Sequence, residues 1–200
     1  MIKLKYILLE GKFDAYVLDM SRRVIDAFKS KKNLKRKYEL TRGEETAEFN
    51  LIVKLLIRPN QDYSHSITGG GDMTNLTLDI EYNPNHFPSA MNNLVAEVKE
   101  VITHELEHVG QQNFEDMFIV DNKKFNDYYN YLTSNKEVPA YVKGLIKRAL
   151  TKRISLNSAM EEWYRENILN FEYHKVQWQR VRFIWKNWAI ENKNKIKKYK

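Results

Sequence analysis

VITHELEHVGQQ, residues 101–112, sets His104 and His108 around Glu105 in the order H-E-x-x-H. It ends a stretch, about residues 89–112, whose apolar positions Met91, Leu94, Val95, Val98, Val101, Ile102, Leu106 and Val109 advance by three and four. That spacing predicts one amphipathic helix with its apolar stripe turned to a core. On such a helix positions 104 and 108 lie one turn apart and project side by side. Both imidazoles can then reach one zinc ion at about 2.0–2.1 Å. Glu105 is offset from that direction and stands beside the metal position, where a carboxylate can take a proton from an attacking water. Without a metal, two histidines on a core helix need other polar partners.

Catalytic zinc usually has three protein ligands. A third histidine in the pattern H-E-x-x-H-x-x-G-x-x-H is excluded, because the downstream positions are Gln111 and Phe114. His65, His86 and His174 stand at distances the sequence does not constrain. Glu137, in NKEVPAYVKGLIKRA (135–149), is the better candidate: it opens the next well-formed helix, and small Ala140 one turn on permits close helix approach. A competing role is open to it, because Ser134-x-x-Glu137 is also a capping box. Pro139 fixes the helix start near here under either role. Glu161 and Glu162 in SAMEEWYREN are reserves. For stabilising an oxyanion, Tyr128, Tyr129, Tyr131, Tyr141 and His174 are all candidates, and the sequence singles out none.

Two hundred residues with 42% apolar and 30% charged side chains suffice for a buried core without staples. No apolar run approaches a bilayer-spanning length, and MIKLKYILLEGK lacks the h-region and cleavage site of a signal peptide. Cysteine is absent. A metal site must therefore use histidine, carboxylate and water. Of the +7 net charge, all resides in residues 171–200, where nine Lys/Arg face two acids; residues 1–170 are neutral. This divides the chain into a body, 1–170, and a basic aromatic tail, 171–200.

Along the body, residues 3–10 form a short apolar piece ending at Gly11, and residues 13–28 have helical spacing. KSKKNLKRK reads as a solvated loop. AEFNLIVKLLIRPN (47–60) reads as a strand, SITGGGDM as a flexible connection, and NLTLDIEYNP (75–84) as a strand with one buried face. The glycines lack the placement of a nucleotide-binding loop. Helical patches follow at about 121–132, 138–152, 157–170 and 172–196. A helix, then strands, then helices indicates an α+β fold with a small antiparallel or mixed sheet.

A strand, a helix with H-E-x-x-H and a helix with E-x-x-A together resemble the gluzincin branch of zinc peptidases, over roughly residues 75–150. The resemblance implies a zincin-like fold in which substrate lies along an edge strand, for which LTLDIEY is the candidate, bound by strand addition. It implies His104, His108 and Glu137 as zinc ligands, Glu105 as general base, and a protein or peptide substrate. YILLEGKFDAYVLDMSRRVI, THELEHVGQQ and NKEVPAYVKGL are similar to metallopeptidase-like proteins of large tailed bacteriophages, which implies a virion or host-cytoplasm setting and contact with virion proteins.

The tail interleaves Trp178, Trp185 and Trp188 with Arg180, Arg182 and Lys186. One reading is nucleic-acid contact through residues 175–200. A second is a helix whose face Val181, Ile184, Trp185 and Trp188 docks on a core or partner, and a third is a helix lying on a membrane surface. Two further functions thus stand beside a peptidase: a virion structural protein on a zinc-binding scaffold, and a nucleic-acid-associated protein.

Overall fold

A computed structural model of the chain describes residues 5–42, 45–71, 74–110, 125–168 and 175–192. The chain divides into two compact units, residues 1–110 and 111–200. The sequence reading set 171–200 apart instead; the division here falls just after the motif helix.

The first unit runs α1 (Lys5–Ser30), β1 (Leu34–Arg42), β2 (Glu45–Ile57), β3 (His65–Gly71), β4 (Asn75–Tyr82) and α2 (Met91–Gly110). The α1 stripe Val17, Met20, Val24 and Phe28 is buried. Its end is closed by Lys31, at φ 53°, with Lys31 N–H donating to Phe28 O and Lys32 N–H to Ala27 O, both at 3.0 Å. This is the left-handed cap that satisfies the last carbonyls of a helix. The four strands form one mixed sheet in the order β1-β2-β4-β3. β1 and β2 pair antiparallel, β2 and β4 parallel, and β3 and β4 antiparallel.

Alternation fixes which face of the sheet is covered. Phe49, Leu51 and Val53 of β2 and Leu76, Leu78, Ile80 and Tyr82 of β4 point into the core with α1 and α2. Each such aliphatic side chain contributes about 1.5–3 kcal/mol by leaving water. The opposite face is polar and carries exposed ion pairs such as Lys37–Glu48 at 2.7 Å.

Two segments read as loops are strands. β1 takes up the basic run, because Leu34, Tyr38 and Leu40 supply an inward row while the lysines face water or the free edge, a charged edge of the kind that discourages pairing between molecules. β3 takes up the glycine segment. As a result β4 is hydrogen-bonded on both sides, so LTLDIEY cannot receive a peptide by strand addition. The edge beside α2 is β3.

The second unit contains α3 (Phe125–Leu132), α4 (Glu137–Lys152), α5 (Leu156–Asn167) and α6 (Lys175–Glu191). Leu132, Val142, Leu145, Met160, Trp163, Trp178, Val181 and Trp185 are its core. Trp185 is fully buried, and its indole N–H donates to Leu132 O at 2.9 Å. Arg148, also buried, donates to both carboxylate oxygens of Glu166 at 2.5 and 2.7 Å. Of the docking face expected for the tail helix, Val181 and Trp185 are buried and Ile184 and Trp188 half-buried; Trp178 joins them in the core, while Val176, Phe183 and Ile190 stand exposed. The fold is α+β, and no described helix is long and apolar enough to cross a membrane.

Candidate functional site

Helix α2 carries the motif in its last two turns. Ile102 and Leu106 are fully buried, and these anchors leave His104 and His108 partly exposed on a neighbouring stripe. The two Nε2 atoms face each other at 3.1 Å, with the rings edge to face and centroids 4.8 Å apart. Two imidazoles on one tetrahedral zinc would hold their nitrogens about 3.3–3.4 Å apart, given Zn–N bonds of about 2.0–2.1 Å. The pair thus converges to within a few tenths of an ångström of a chelating geometry. Without an ion, the same distance accommodates one N–H···N hydrogen bond.

Glu105 is buried, at 9% exposure, and lies against β3. A methyl group at Gly69 would come within 2.4 Å of Val101 Cγ1 and 2.8 Å of Glu105 Oε1. One at Gly71 would come within 3.3 Å of Glu105 Oε2. Both carboxylate oxygens therefore rest against a strand that only glycine lets approach so closely. The sequence reading missed Gly69 and Gly71. The available signal was their spacing of two, which puts both on one strand face once the segment is recognised as a strand.

Glu137 is buried at the first position of α4, in the second unit. The capping role is half present. Glu137 N–H donates to Ser134 Oγ at 3.2 Å, but Ser134 N–H donates to Tyr131 O at 3.1 Å. The backbone donor that a capping box would offer to the glutamate is thus already engaged, and Ser134 can cap without the carboxylate closing the box. The charge of Glu137 is felt by neighbouring phenols. Burial, then that charge, pushes Tyr128 up to about 12; burial, then Tyr131, Tyr128 and Glu137, raises Tyr141 well above 10. Both are protonated phenols across the neutral range, able to donate a hydrogen bond.

The remaining candidates are placed elsewhere. His65, the first residue of β3, has Nε2 2.9 Å from Glu97 Oε2 and Nδ1 2.9 Å from Ser64 Oγ. Glu97 lies two turns before His104, so His65 is not the third ligand. His86 sits in a short 3-10 turn, Pro84–His86, before α2 begins; at about 1.5 Å rise per residue it is some 20 Å from the motif. Glu161 pairs with Arg182, and Glu162 with Lys152 at 2.6 Å. Gln111, Phe114 and His174 lie outside the described residues.

Comparison with protein-family models, with curated proteins and with solved structures gives no match.

Proposed function

We propose that this chain is a zinc-dependent peptidase of the gluzincin type on a zincin-like fold, with His104, His108 and Glu137 as ligands. Two imidazoles and one carboxylate are a donor set that could hold a metal ion, and one that suits zinc. The observation that carries the reading is the seat of Glu105. A carboxylate held beside two convergent imidazoles, against the backbone of an edge strand, is where a general base for peptide hydrolysis belongs. A purely structural zinc site has no use for it.

In this mechanism an extended substrate adds to the edge of β3, which replaces β4 as the substrate strand. Bound zinc supplies a Lewis acid that polarises the scissile carbonyl and brings the pKa of a water toward roughly 7. Glu105 takes a proton from the attacking water and returns it to the leaving amine. The setting proposed with this activity is a tailed-phage virion or the host cytoplasm. Nucleic-acid binding by the tail is less well supported, since Trp178 and Trp185 are buried and offer no face to a base.

The test is zinc per chain by elemental analysis, for wild type, His104→Ala, Glu137→Gln and Glu105→Gln, together with peptide cleavage. We expect about one equivalent in wild type and Glu105→Gln, loss of zinc in the other two, and no cleavage by Glu105→Gln. Cleavage surviving Glu105→Gln would remove the mechanism. No zinc in any form, after loading and removal of excess, would remove the metal site.

A further inference from the structure

The backbone of β3 divides into two sets. Asn83 N–H donates to Ser64 O at 2.9 Å, and the register pairs His65 with Tyr82 and Gly70 with Thr77. Hydrogen-bonded pairs in an antiparallel ladder recur every second residue. Ser64, Ser66, Thr68 and Gly70 therefore turn their amides to β4. The other side of β4 agrees: Thr74 O and Tyr82 O accept from Asn50 N–H and Arg58 N–H, so its even-numbered residues serve β2. It follows that His65, Ile67, Gly69 and Gly71 aim N–H and C=O out of the sheet, along an edge that no described strand covers. Two of these four, Gly69 and Gly71, flank Glu105.

Gly70, between them, faces the other side of the sheet. A methyl group there would meet nothing within 4 Å, and its φ is not in the left-handed range. Neither crowding nor backbone conformation within the protein calls for glycine at this position, in contrast to Gly69. What the missing side chain leaves is bare backbone, bordered by Thr68 on the same strand face and Thr77 across the ladder. On a peptide added antiparallel to this edge, the residue opposite Gly70 falls in a non-hydrogen-bonded pair, where Cα atoms are about 4.5 Å apart and side chains approach most closely. A large side chain there can fold over the glycine and cover its backbone, as aromatic residues do for glycine across a strand pair.

Resting on the peptidase reading above, we infer that Gly70 determines specificity: the substrate is an extended polypeptide with an aromatic or large branched apolar residue opposite Gly70, adjacent to the bond cleaved. The site's own side chains do not read the substrate at that level. Bare strand does.

The experiment uses the full zinc-supplied chain carrying Glu105→Gln, so that bound peptides survive. It is applied to an array of extended peptides of about ten residues in which each position is varied in turn. We expect Phe, Tyr, Trp and Leu to be retained up to about fivefold over Ala at one position, the range that cross-strand pairs span. That preference should fall stepwise in Gly70→Ala and Gly70→Val made on the same background. Absence of a preference at any single position, or one that Gly70→Val leaves intact, overturns the inference. Wild-type cleavage of the captured peptides is scored separately. Capture with a Gly70-dependent preference but no cleavage would refute the peptidase and leave the edge-strand specificity standing.

Discussion

Replacing Gly69 by alanine puts the central contact of the site under load. The added methyl would begin 2.4 Å from Val101 Cγ1 and 2.8 Å from Glu105 Oε1. Carbon atoms in contact prefer about 3.5–4.0 Å, so β3 and α2 must separate by more than about 1 Å or Val101 must leave its rotamer. A β-branched side chain on a helix has one well-populated χ1, which leaves strand movement as the response. Overpacking of this kind costs about 1–3 kcal/mol. Gly70→Ala is the control: with open space around it, stability should hold or rise by about 0.4–1 kcal/mol. Chemical denaturation followed by hydrogen exchange of α2 amides reads the first unit selectively, because all four tryptophans lie between residues 163 and 188 and report only the second. Val101→Ala combined with Gly69→Ala should recover about 1 kcal/mol or more of the loss, as coupling between touching residues. If Gly69→Ala is as stable as wild type and uncoupled from Val101, the close approach of strand and helix is wrong. For a general base, displacement by about 1 Å would lower the rate about 10²-fold, which a cleavage assay checks on the same protein.

Asp19 accepts hydrogen bonds from Arg23 and Tyr38, both at 2.9 Å, and these, led by Arg23, hold its carboxyl below the usual 3.8. A lowered folded-state pKa stabilises above the unfolded value and is lost as pH falls through the folded one. Asp19→Asn should thus lower the urea midpoint at neutral pH, with the gap narrowing as pH falls below about 4; a gap that does not narrow in acid refutes this. Trp185→Phe removes the donor to the buried Leu132 carbonyl and should destabilise the second unit by about 1–3 kcal/mol, read from the emission of the other tryptophans. Ser134→Ala should cost about 0.5–2 kcal/mol and leave zinc content unchanged, whereas Glu137→Gln should reduce zinc with little loss of stability. Zinc unchanged in Glu137→Gln would remove Glu137 from the ligand set.

The apolar rhythm of α2 and the alternation of β4 were legible in the sequence because both elements bury one clean face. α1 was legible from residue 13 on; its first turns were set apart at Gly11, which the helix in fact spans. β1 and β3 were missed for different reasons. In β1, Arg36 interrupts the inward row of Leu34, Tyr38 and Leu40 and stays exposed near the sheet edge, which hides the period of two. In β3, glycine at three consecutive positions removes the side chains from which a period is read, and tertiary pairing with β4 decides the conformation instead. That omission made β4 look like a free edge, since it had no visible neighbour on that side. The histidine pair needed only helical geometry to be foreseen. The seat of Glu105 depends on a strand more than thirty residues away, which no local pattern carries. For the tail, spacing alone identified Val181 and Trp185 of the face that docks, but not Trp178 beside them, nor the second row at Val176, Phe183 and Ile190, seven residues apart.

The position of β3 in the chain has a consequence for synthesis. It follows β2 in sequence but pairs with β4 alone, so as the chain emerges from the ribosome this segment waits without a hydrogen-bonding partner until residues 75–82 arrive. Its inner face waits longer, until α2 is made. A strand rich in β-branched residues left in that condition would invite association with neighbouring nascent chains. HSITGGG, with three glycines and one large aliphatic side chain, has little tendency to do so. The same bare backbone that brings Glu105 close in the finished protein gives the unfinished one little to stick with, and Glu105 has no seat until the whole first unit has been translated.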